Sequence, residues 1–166
     1  EELDFDTAIR TVSKTCAYTN HTILAEALET WPMQYFTELT PWLIPIVEEM
    51  DRRAKVQSLD ARTAIIDPQE RVHMAHIAIH FGFSVNGVAK LHTQILQSSE
   101  LAPFYALYPQ RFHNETNGIT FRRWLMLCNP KLATLITETI GEGWKHDSSQ
   151  LDRLTQFVGE QELLAR

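Results

Sequence analysis

Apolar residues recur at helical spacing along most of the chain. In the segment DFDTAIRTVSKT an acidic start precedes Ala8, Ile9 and Val12, which lie on one face of a helix. The stretch MQYFTELTPWLIPIVEEMDRRAKVQ has the pattern of a helix, a turn and a longer helix. Similar spacing predicts helices in the segments ILAEALETW, HMAHIAIH, NGVAKLHTQILQ, LAPFYALYP, RRWLMLCNPKLATLITETI and SSQLDRLTQF. The pattern therefore predicts a mainly helical chain.

Prolines and glycines mark where several of these helices end. Pro32 ends the helix ILAEALETW, because the residue before a proline is pushed out of the α region. Pro130 divides the segment that begins at Arg122 into two helices, and Gly141 closes the second. Gly82 follows HMAHIAIHF, and we expect it to be a left-handed C-cap.

Few stretches favour strands. CAYTN suits a strand or an extended turn, one short strand is expected near the Asp67-Pro68 turn, and FHNETNGIT is predicted to be a loop or extended. These strands are too few and too isolated to form a sheet of their own, although strand edges in a compact domain are paired or covered. The last residues, EQELLAR, have the spacing of a helix that has just begun. We therefore predict a mainly α chain with a few short strands, a slice of a larger α/β protein.

Composition and charge exclude some classes of partner. The 166 residues are enough for one domain with a sizeable core, and no repeat or linker marks a boundary inside them. The net charge of −6 argues against nucleic acid, because binding to a phosphate backbone needs a basic surface. No apolar run is long enough to span a membrane, and EELDFDTAIR lacks the basic and apolar regions of a signal peptide. We predict a soluble, cytoplasmic chain with no membrane partner.

The chain has two cysteines, Cys16 and Cys128, which are too few and too far apart to indicate a disulfide framework. Their neighbours, among them Ala17, Tyr18 and Leu127, are largely apolar. We therefore predict that both are buried, reduced thiols.

Three histidines, His73, His76 and His80, lie in one short apolar run. Residues three and four apart share a helix face, so one stripe could offer three imidazoles to a metal ion. The usual zinc signature on a helix also places a glutamate between histidines four apart, whereas the residues between these histidines are apolar. Polar positions of an amphipathic helix, each satisfied by a backbone carbonyl, a side chain or water, explain the pattern more simply. We predict no metal site.

Polar islands between the apolar segments are the informative part of the sequence. They are CAYTNHT, SVNGVAKLH and NETNGITFRRWLMLCNP, with further similarity in EALETWP and SSQLDRL. In this order the motifs closely resemble the α-glucan phosphorylases, the family of glycogen, starch and maltodextrin phosphorylases. The resemblance runs essentially from end to end, and three motifs in matching order make it far more specific than any one of them.

The resemblance implies a piece of a much longer enzyme. Family members are several times longer and form two Rossmann-like lobes of the GT-B type, with the active site in the cleft between them. By its motifs, the chain is an internal segment in which residues 1–113 end the N-terminal lobe. Residues 114–166 form the crossover and the start of the C-terminal lobe. Full-length family members are homodimers.

The resemblance also implies a reaction and a cofactor. Family members hold pyridoxal phosphate as a Schiff base on a lysine of the C-terminal lobe. Its 5′-phosphate exchanges a proton with inorganic phosphate, which protonates the glycosidic oxygen and then captures the glucosyl cation with retention. The substrates are an α-1,4-glucan and inorganic phosphate, and the product is glucose 1-phosphate.

Two polar residues are implied to be catalytic and substrate-binding. The match at YTNHT gives His21, whose backbone carbonyl and imidazole face the glucosyl unit that is transferred. A carbonyl dipole directed at developing positive charge is electrostatic preorganisation, and the ring can hydrogen-bond the sugar 6-hydroxyl. The match at TNGIT gives Asn117, whose amide can donate to and accept from the same hydroxyl. Without the resemblance, His21 is simply a loop or cap histidine, and Asn117 with Gly118 is a turn.

Two further sets of residues belong to the site in the family. Asn86, Gly87 and Val88 of VNGVA correspond to a backbone turn that lines the sugar pocket, where glycine lets the chain approach closely. Val88 fits a core position equally well. Trp124 corresponds to an aromatic that packs against the cofactor, although by residue type alone it is a core aromatic. The family usually has proline at the position of Phe121.

The motif of the cofactor lysine is not in this chain. None of its lysines lies in a matching context; they are Lys14, Lys55, Lys90, Lys131 and Lys145. The phosphate-binding arginine and lysine of the C-terminal lobe and its Gly-rich cofactor loop are also missing. The chain alone is therefore predicted to bind no pyridoxal phosphate and to be inactive. The alternative hypothesis is a stand-alone helical binding module, linked by a metal at the three histidines and without catalysis.

Overall fold

The computed structural model describes residues 3–165 of the chain. The chain forms two compact units that divide between Asn117 and Gly118. No linker composition marks this point in the sequence, so the division was not predicted. The lobe boundary expected after residue 113 stays a prediction.

The helices of the first unit follow the apolar spacing of the sequence closely. Asp4 caps the first of them, and its side chain accepts a hydrogen bond from the Thr7 N–H at 2.9 Å. Pro45 lies in the first turn of the third, where its missing N–H costs nothing. The helices are α1 (Phe5–Thr15), α2 (Met33–Leu39), α3 (Ile44–Gln57), α4 (Met74–Phe81), α5 (Lys90–Ser98) and α6 (Ala102–Leu107). The mainly helical prediction is confirmed.

The strands of this unit form two small sheets, so the prediction that they are too isolated to pair is wrong. They are β1 (Tyr18–Thr19), β2 (Thr30–Pro32), β3 (Arg71–His73), β4 (Val85–Gly87) and β5 (Phe112–Asn114). The first sheet is parallel in the order β1-β4-β5, and the second pairs β2 with β3 antiparallel. Parallel neighbours need long crossovers, and the helices between these short strands supply them.

The predicted helix ILAEALETW is wrong. Only Ala25–Ala27 makes a short 3-10 turn, and Thr30–Pro32 is strand β2. The backbone of this segment pairs with β3 and the residue after it. Trp31 lies opposite Val72, and the Met74 N–H donates to the Glu29 carbonyl. Long-range pairing thus overrides the helical preference of the sequence.

Two boundaries near the glycines also differ from expectation. Gly82 follows α4 with φ of −82°, so it is not the left-handed cap that we predicted. Glycine is needed there because a Cβ would lie 2.7 Å from the Ala78 carbonyl oxygen. The helix predicted from Asn86 begins only at Lys90, because Val85–Gly87 is the central strand β4.

Two apolar clusters form the core of the first unit. One packs around the parallel sheet and contains Ile79, Val85, Leu96, Leu101, Phe104 and Phe112. The other packs α3 and α4 against β3 and contains Val47, Ala54, Ile65, Val72 and Phe81. Helix α4 contributes to both clusters and is therefore the central helix of this unit.

The second unit is helical over the residues that the structure describes. A π-helix at Arg122–Leu127 precedes α7 (Pro130–Ile140), and 3-10 helices at Gly143–Lys145 and Ser148–Phe157 lead to α8 (Gln161–Leu164). The split before Pro130 and the end at Gly141 are confirmed. Its core consists of Ala133, Ile136, Ile140 and Trp144.

The prediction that the cysteines are buried is wrong. Both Cys16 and Cys128 are free and exposed. Each follows the last residue of a helix, and the neighbours Ala17 and Leu127 are exposed as well. Apolar neighbours in the sequence therefore did not indicate the burial of these residues.

Candidate functional site

The three strands of the parallel sheet end at one edge, at Thr19, Gly87 and Asn114. Asn86 lies opposite both Thr19 and His113, so the strands are in register at this edge. In parallel sheets, ligands bind in the crevice outside the carboxyl ends of the strands. This edge is therefore the candidate site.

The predicted site residues of the first unit all lie at or just beyond this edge. His21 is two residues past β1, Val88 follows β4 directly, and Asn117 lies three residues past β5. His21 and Asn117 are exposed, whereas Asn86 and Gly87 are buried. The sheet thus brings loops from three distant parts of the sequence to one side.

Two expectations about these residues need correction. Asn86 and Gly87 do not form a turn, because they are the last two residues of the central strand β4. Trp124 lies in the second unit with 61% of its surface exposed, so the interpretation as a core aromatic is wrong. Its ring contacts the Arg123 guanidinium, whose central carbon is 5.5 Å from the ring centroid. Its proposed packing against a cofactor stays a prediction.

The Asn86 side chain forms hydrogen bonds within the parallel sheet. Its Oδ1 accepts a hydrogen bond from Thr19 Oγ1 at 2.8 Å, and its Nδ2 donates to the Gly87 carbonyl at 3.2 Å. The Asn86 carbonyl also accepts from the Asn20 N–H at 2.9 Å. Asn86 therefore fixes the ends of β1 and β4 relative to each other.

Gly87 allows helix α5 to approach the edge closely. A Cβ at this position would lie 2.4 Å from Thr93 Oγ1 and 3.0 Å from His92 Nδ1, and real Cβ atoms do not come within 3.0 Å of other heavy atoms. The role predicted for Gly87, close approach of the backbone, agrees with this geometry. The neighbour that approaches is the first turn of α5.

His92 joins two of the loops, and sequence reasoning missed it. Its Nδ1 accepts a hydrogen bond from the Val88 N–H at 3.1 Å, and its Nε2 lies 3.2 Å from the Thr22 carbonyl oxygen. Because Nδ1 accepts, the ring is the neutral tautomer that carries its proton on Nε2 and donates it to Thr22. The motif SVNGVAKLH gave no signal that His92 has a partner 70 residues away.

Asn20 was missed as well. Its side chain is 1% exposed; Oδ1 accepts from the Thr22 N–H at 2.8 Å, and Nδ2 donates to the Tyr18 hydroxyl at 3.0 Å. Burial raises the pKa of Tyr18 above its usual value, so the phenol stays protonated at neutral pH. Asn20 thus holds the loop after β1 from inside.

The histidines of HMAHIAIHFG do not converge on a common point. His73 ends β3 and its Nε2 contacts Asp67 at 2.9 Å, while His76 Nδ1 contacts the Ala64 carbonyl at 2.6 Å. Both ring nitrogens of His80 are engaged, by the Tyr108 hydroxyl and the Thr63 carbonyl. Over residues 3–165, no group of three potential metal ligands comes together. These contacts are those of structural histidines and give the metal hypothesis no support.

Comparison with known proteins identifies the family. Residues 1–166 match the family model described as carbohydrate phosphorylase. The chain belongs to the carbohydrate phosphorylase family. The predicted resemblance is confirmed.

Curated relatives of this phosphorylase chain come from bacteria and mammals. It is 56% identical to maltodextrin phosphorylase of Streptococcus pneumoniae over 155 residues, which are 93% of the chain and 21% of that protein. It is 43% identical to the brain form of glycogen phosphorylase of Bos taurus over 99% of the chain and 21% of the relative. For the muscle form of Oryctolagus cuniculus the identity is 42% over 97% of the chain and 20% of the relative. The chain therefore spans about a fifth of the length of these relatives.

The length and hydropathy of a helix decide whether it could cross a membrane. In the part of the phosphorylase chain that the structure describes, no helix has both the length and the hydropathy to cross a bilayer.

Proposed function

We propose that the chain is part of a retaining α-1,4-glucan phosphorylase, which releases glucose 1-phosphate from glycogen or maltodextrin with inorganic phosphate. The observation that carries this proposal is the match over the whole chain to proteins named glycogen and maltodextrin phosphorylase. We further propose that the full-length protein is a cytoplasmic homodimer with two lobes of the GT-B type. Residues 1–113 would end its first lobe, and residues 114–166 would lead into the second.

In this proposal the carboxyl edge of the parallel sheet faces the glucosyl unit. The His21 carbonyl directs its negative end at the anomeric carbon, where positive charge develops as the glycosidic bond breaks. The His21 imidazole and the Asn117 amide, both exposed, hydrogen-bond the 6-hydroxyl. The Val88 N–H is already bonded to His92, so the stretch Asn86–Val88 contributes shape rather than free donors. Support for these roles comes from the shared edge on which the residues lie.

The cofactor of the family, pyridoxal phosphate, supplies a phosphate group for proton exchange when it is bound. The lysines of this chain do not fit its aldehyde, which needs an unpaired amine in an enclosed pocket. Lys55 and Lys145 form ion pairs with Asp51 and Glu142, and the other three lysines are exposed on helices or at their ends. We therefore propose that the lysine that binds the cofactor lies outside these 166 residues. Trp124 would contribute packing to that site only.

The test is phosphorolysis of maltoheptaose by the full-length protein that contains this chain. We expect glucose 1-phosphate from the full-length protein and none from residues 1–166 alone. In the full-length protein, His21→Ala and Asn117→Ala should each lower kcat/KM by about 10²-fold, because each leaves a sugar hydroxyl without its partner. His146→Ala, at an exposed histidine directly after the 3-10 helix Gly143–Lys145, is the matched control and should change the rate by less than about threefold.

Glucose 1-phosphate release by the 166-residue chain, or a full-length protein that does not phosphorolyse any α-1,4-glucan, would contradict the proposal. No contact in the described residues favours the alternative of a stand-alone binding module.

A further inference from the structure

Thr22, the residue directly after His21, is bonded to side chains through both of its backbone groups. The Thr22 N–H donates to Asn20 Oδ1 at 2.8 Å, and the Thr22 carbonyl accepts from His92 Nε2 at 3.2 Å. These two groups belong to successive peptide units on either side of Thr22. Both peptide planes are therefore fixed by side chains, one from the strand end and one from helix α5.

The first of these hydrogen bonds determines the direction of the His21 carbonyl. A trans peptide is planar, and its N–H and C=O point in opposite directions. The Thr22 N–H and the His21 carbonyl share one such unit, and the described chain has no cis peptide bond. Because the N–H points at Asn20 Oδ1, the His21 carbonyl points away from the buried Asn20 side chain.

The partners of this hydrogen bond are themselves held in place. Asn20 is 1% exposed, its N–H donates to the Asn86 carbonyl at 2.9 Å, and its amide group donates to Tyr18. On the other side, Gly87 brings α5 so close that the His92 ring reaches both Val88 and Thr22. Asn20 is buried, and both ring nitrogens of His92 are bonded to backbone groups, so the effect of these side chains is on position.

We propose that Asn20 and His92 are a pair of positioning residues that hold Thr22 from both sides and direct the His21 carbonyl at the substrate. The proposal rests on the proposed function, in which that carbonyl faces the glucosyl unit. Neither residue touches the reacting atoms. Each acts through the Thr22 peptide units, which makes the loop after β1 rigid before the substrate binds.

The variants that test the pair are chosen to remove one hydrogen bond at a time in the full-length protein. Asn20→Ala removes the acceptor for Thr22, whereas Tyr18→Phe removes only the other partner of Asn20. His92→Asn keeps an acceptor near the position of Nδ1 for Val88 but loses the donor to Thr22. His92→Gln has an amide long enough to donate to the Thr22 carbonyl, and it is the conservative variant that should rescue function.

We expect Asn20→Ala and His92→Asn to lower kcat for phosphorolysis about 10- to 100-fold. KM should stay within about threefold of the parent, because the substitutions change only the direction of the His21 carbonyl. Tyr18→Phe and His92→Gln should stay within about threefold of the parent in kcat. Mass-spectrometric hydrogen exchange should show faster exchange of the Thr22 amide in Asn20→Ala, with the helices unchanged. A general loss of structure would instead accelerate exchange throughout the first unit.

An unchanged kcat in Asn20→Ala, with the Thr22 amide exchanging faster, would overturn the proposal while leaving the proposed function intact. Equal losses of kcat in His92→Asn and His92→Gln would overturn the part assigned to His92. A parent protein without phosphorolysis would refute the proposed function, and the exchange of the Thr22 amide would then decide whether Asn20 holds the loop.

Discussion

The first unit contains two regions rich in histidine and polar side chains, and they differ in what those side chains contact. On helix α4 and the strand before it, the ring nitrogens of His73, His76 and His80 contact protein groups. At the carboxyl edge of the parallel sheet, His21 is exposed and its ring makes no hydrogen bond with the described part of the chain. The same residue type is structural in one region and available to a ligand in the other.

The difference teaches that the candidate site is marked by exposed side chains without protein partners rather than by a high density of histidines. At the edge, the polar groups of Asn20, Asn86 and His92, which are buried or partly buried, contact other parts of the protein, whereas the side chains of His21 and Asn117 are exposed. On α4 no such division exists, because each histidine is at least partly buried. We therefore expect substitution of a histidine on α4 to lower the free energy of unfolding, and substitution of His21 to leave it nearly unchanged.

The largest effect on stability is expected for His80→Ala. His80 is 5% exposed, and its loss leaves a cavity beside Phe104 and removes partners from Thr63 and Tyr108. The free energy of unfolding should fall by about 3 kcal/mol. Urea unfolding followed by circular dichroism measures it, and His21→Ala, at an exposed position, should change it by less than about 0.5 kcal/mol. Equal losses of unfolding free energy in His80→Ala and His21→Ala would contradict the distinction between the two regions.

An effect of comparable size is expected from acid alone. Burial lowers the pKa of His76 to about 4 from the 6.5 of a free imidazole, and burial also lowers the pKa of His80. The neutral form of His76 stabilises the fold fully above pH 6.5, and this contribution is lost as the pH falls from 6.5 towards 4, because the unfolded chain binds more protons. The lowered pKa of His80 acts in the same direction. For His76 the loss approaches about 3 kcal/mol at pH 4.

The measurement is urea unfolding at a series of pH values between 7 and 4. In His76→Gln, which has no imidazole at this position, the slope over this range should be clearly reduced. A slope that His76→Gln leaves unchanged would assign the pH dependence to other groups.

The smallest of the three effects concerns the edge itself. Gly87→Ala places a Cβ against Thr93 and His92, so α5 must move outward, and we expect a loss of about 1–3 kcal/mol in the free energy of unfolding. Gly118→Ala is the matched control, because a Cβ there meets no atom within 4 Å and the φ angle needs no glycine. Its stability should change by less than about 0.5 kcal/mol in thermal or urea unfolding. A Gly87→Ala protein as stable as the parent would show that α5 can retreat freely.

Much of the fold was predictable because helices are local. The spacing of Ala8, Ile9 and Val12 after an acidic start places α1 correctly, and the pattern of a helix, a turn and a longer helix gives the order of α2 and α3. Local patterns failed where the partner is distant, as at Thr30–Pro32, which the sequence assigned to a helix. A strand of three residues carries no periodicity of its own, and only its pairing with Arg71–His73 defines it.

The candidate site was predicted in the residues that belong to recognisable motifs, and the residues that hold the loop after β1 were missed. His21, Gly87 and Asn117 came from the resemblance of their motifs, and spacing alone would not have selected them. Asn20 and His92 escaped notice because their roles depend on hydrogen bonds to backbone groups, which have no signature in side-chain type. His92 bonds to Thr22, 70 positions earlier in the sequence, and only the folded chain reveals that contact.

The register of the parallel sheet has a consequence for the order of folding. The bond between Thr19 and Asn86 closes a loop of 67 residues, and β5 adds another segment from Phe112 onward. Such non-local contacts form late, because the entropy of closing the intervening chain must be lost before any of them stabilises the fold. The helices can therefore form during synthesis, whereas the edge that carries His21 cannot form until Phe112 has left the ribosome. Capacity to bind a ligand at this edge would therefore be acquired only after these helices have formed.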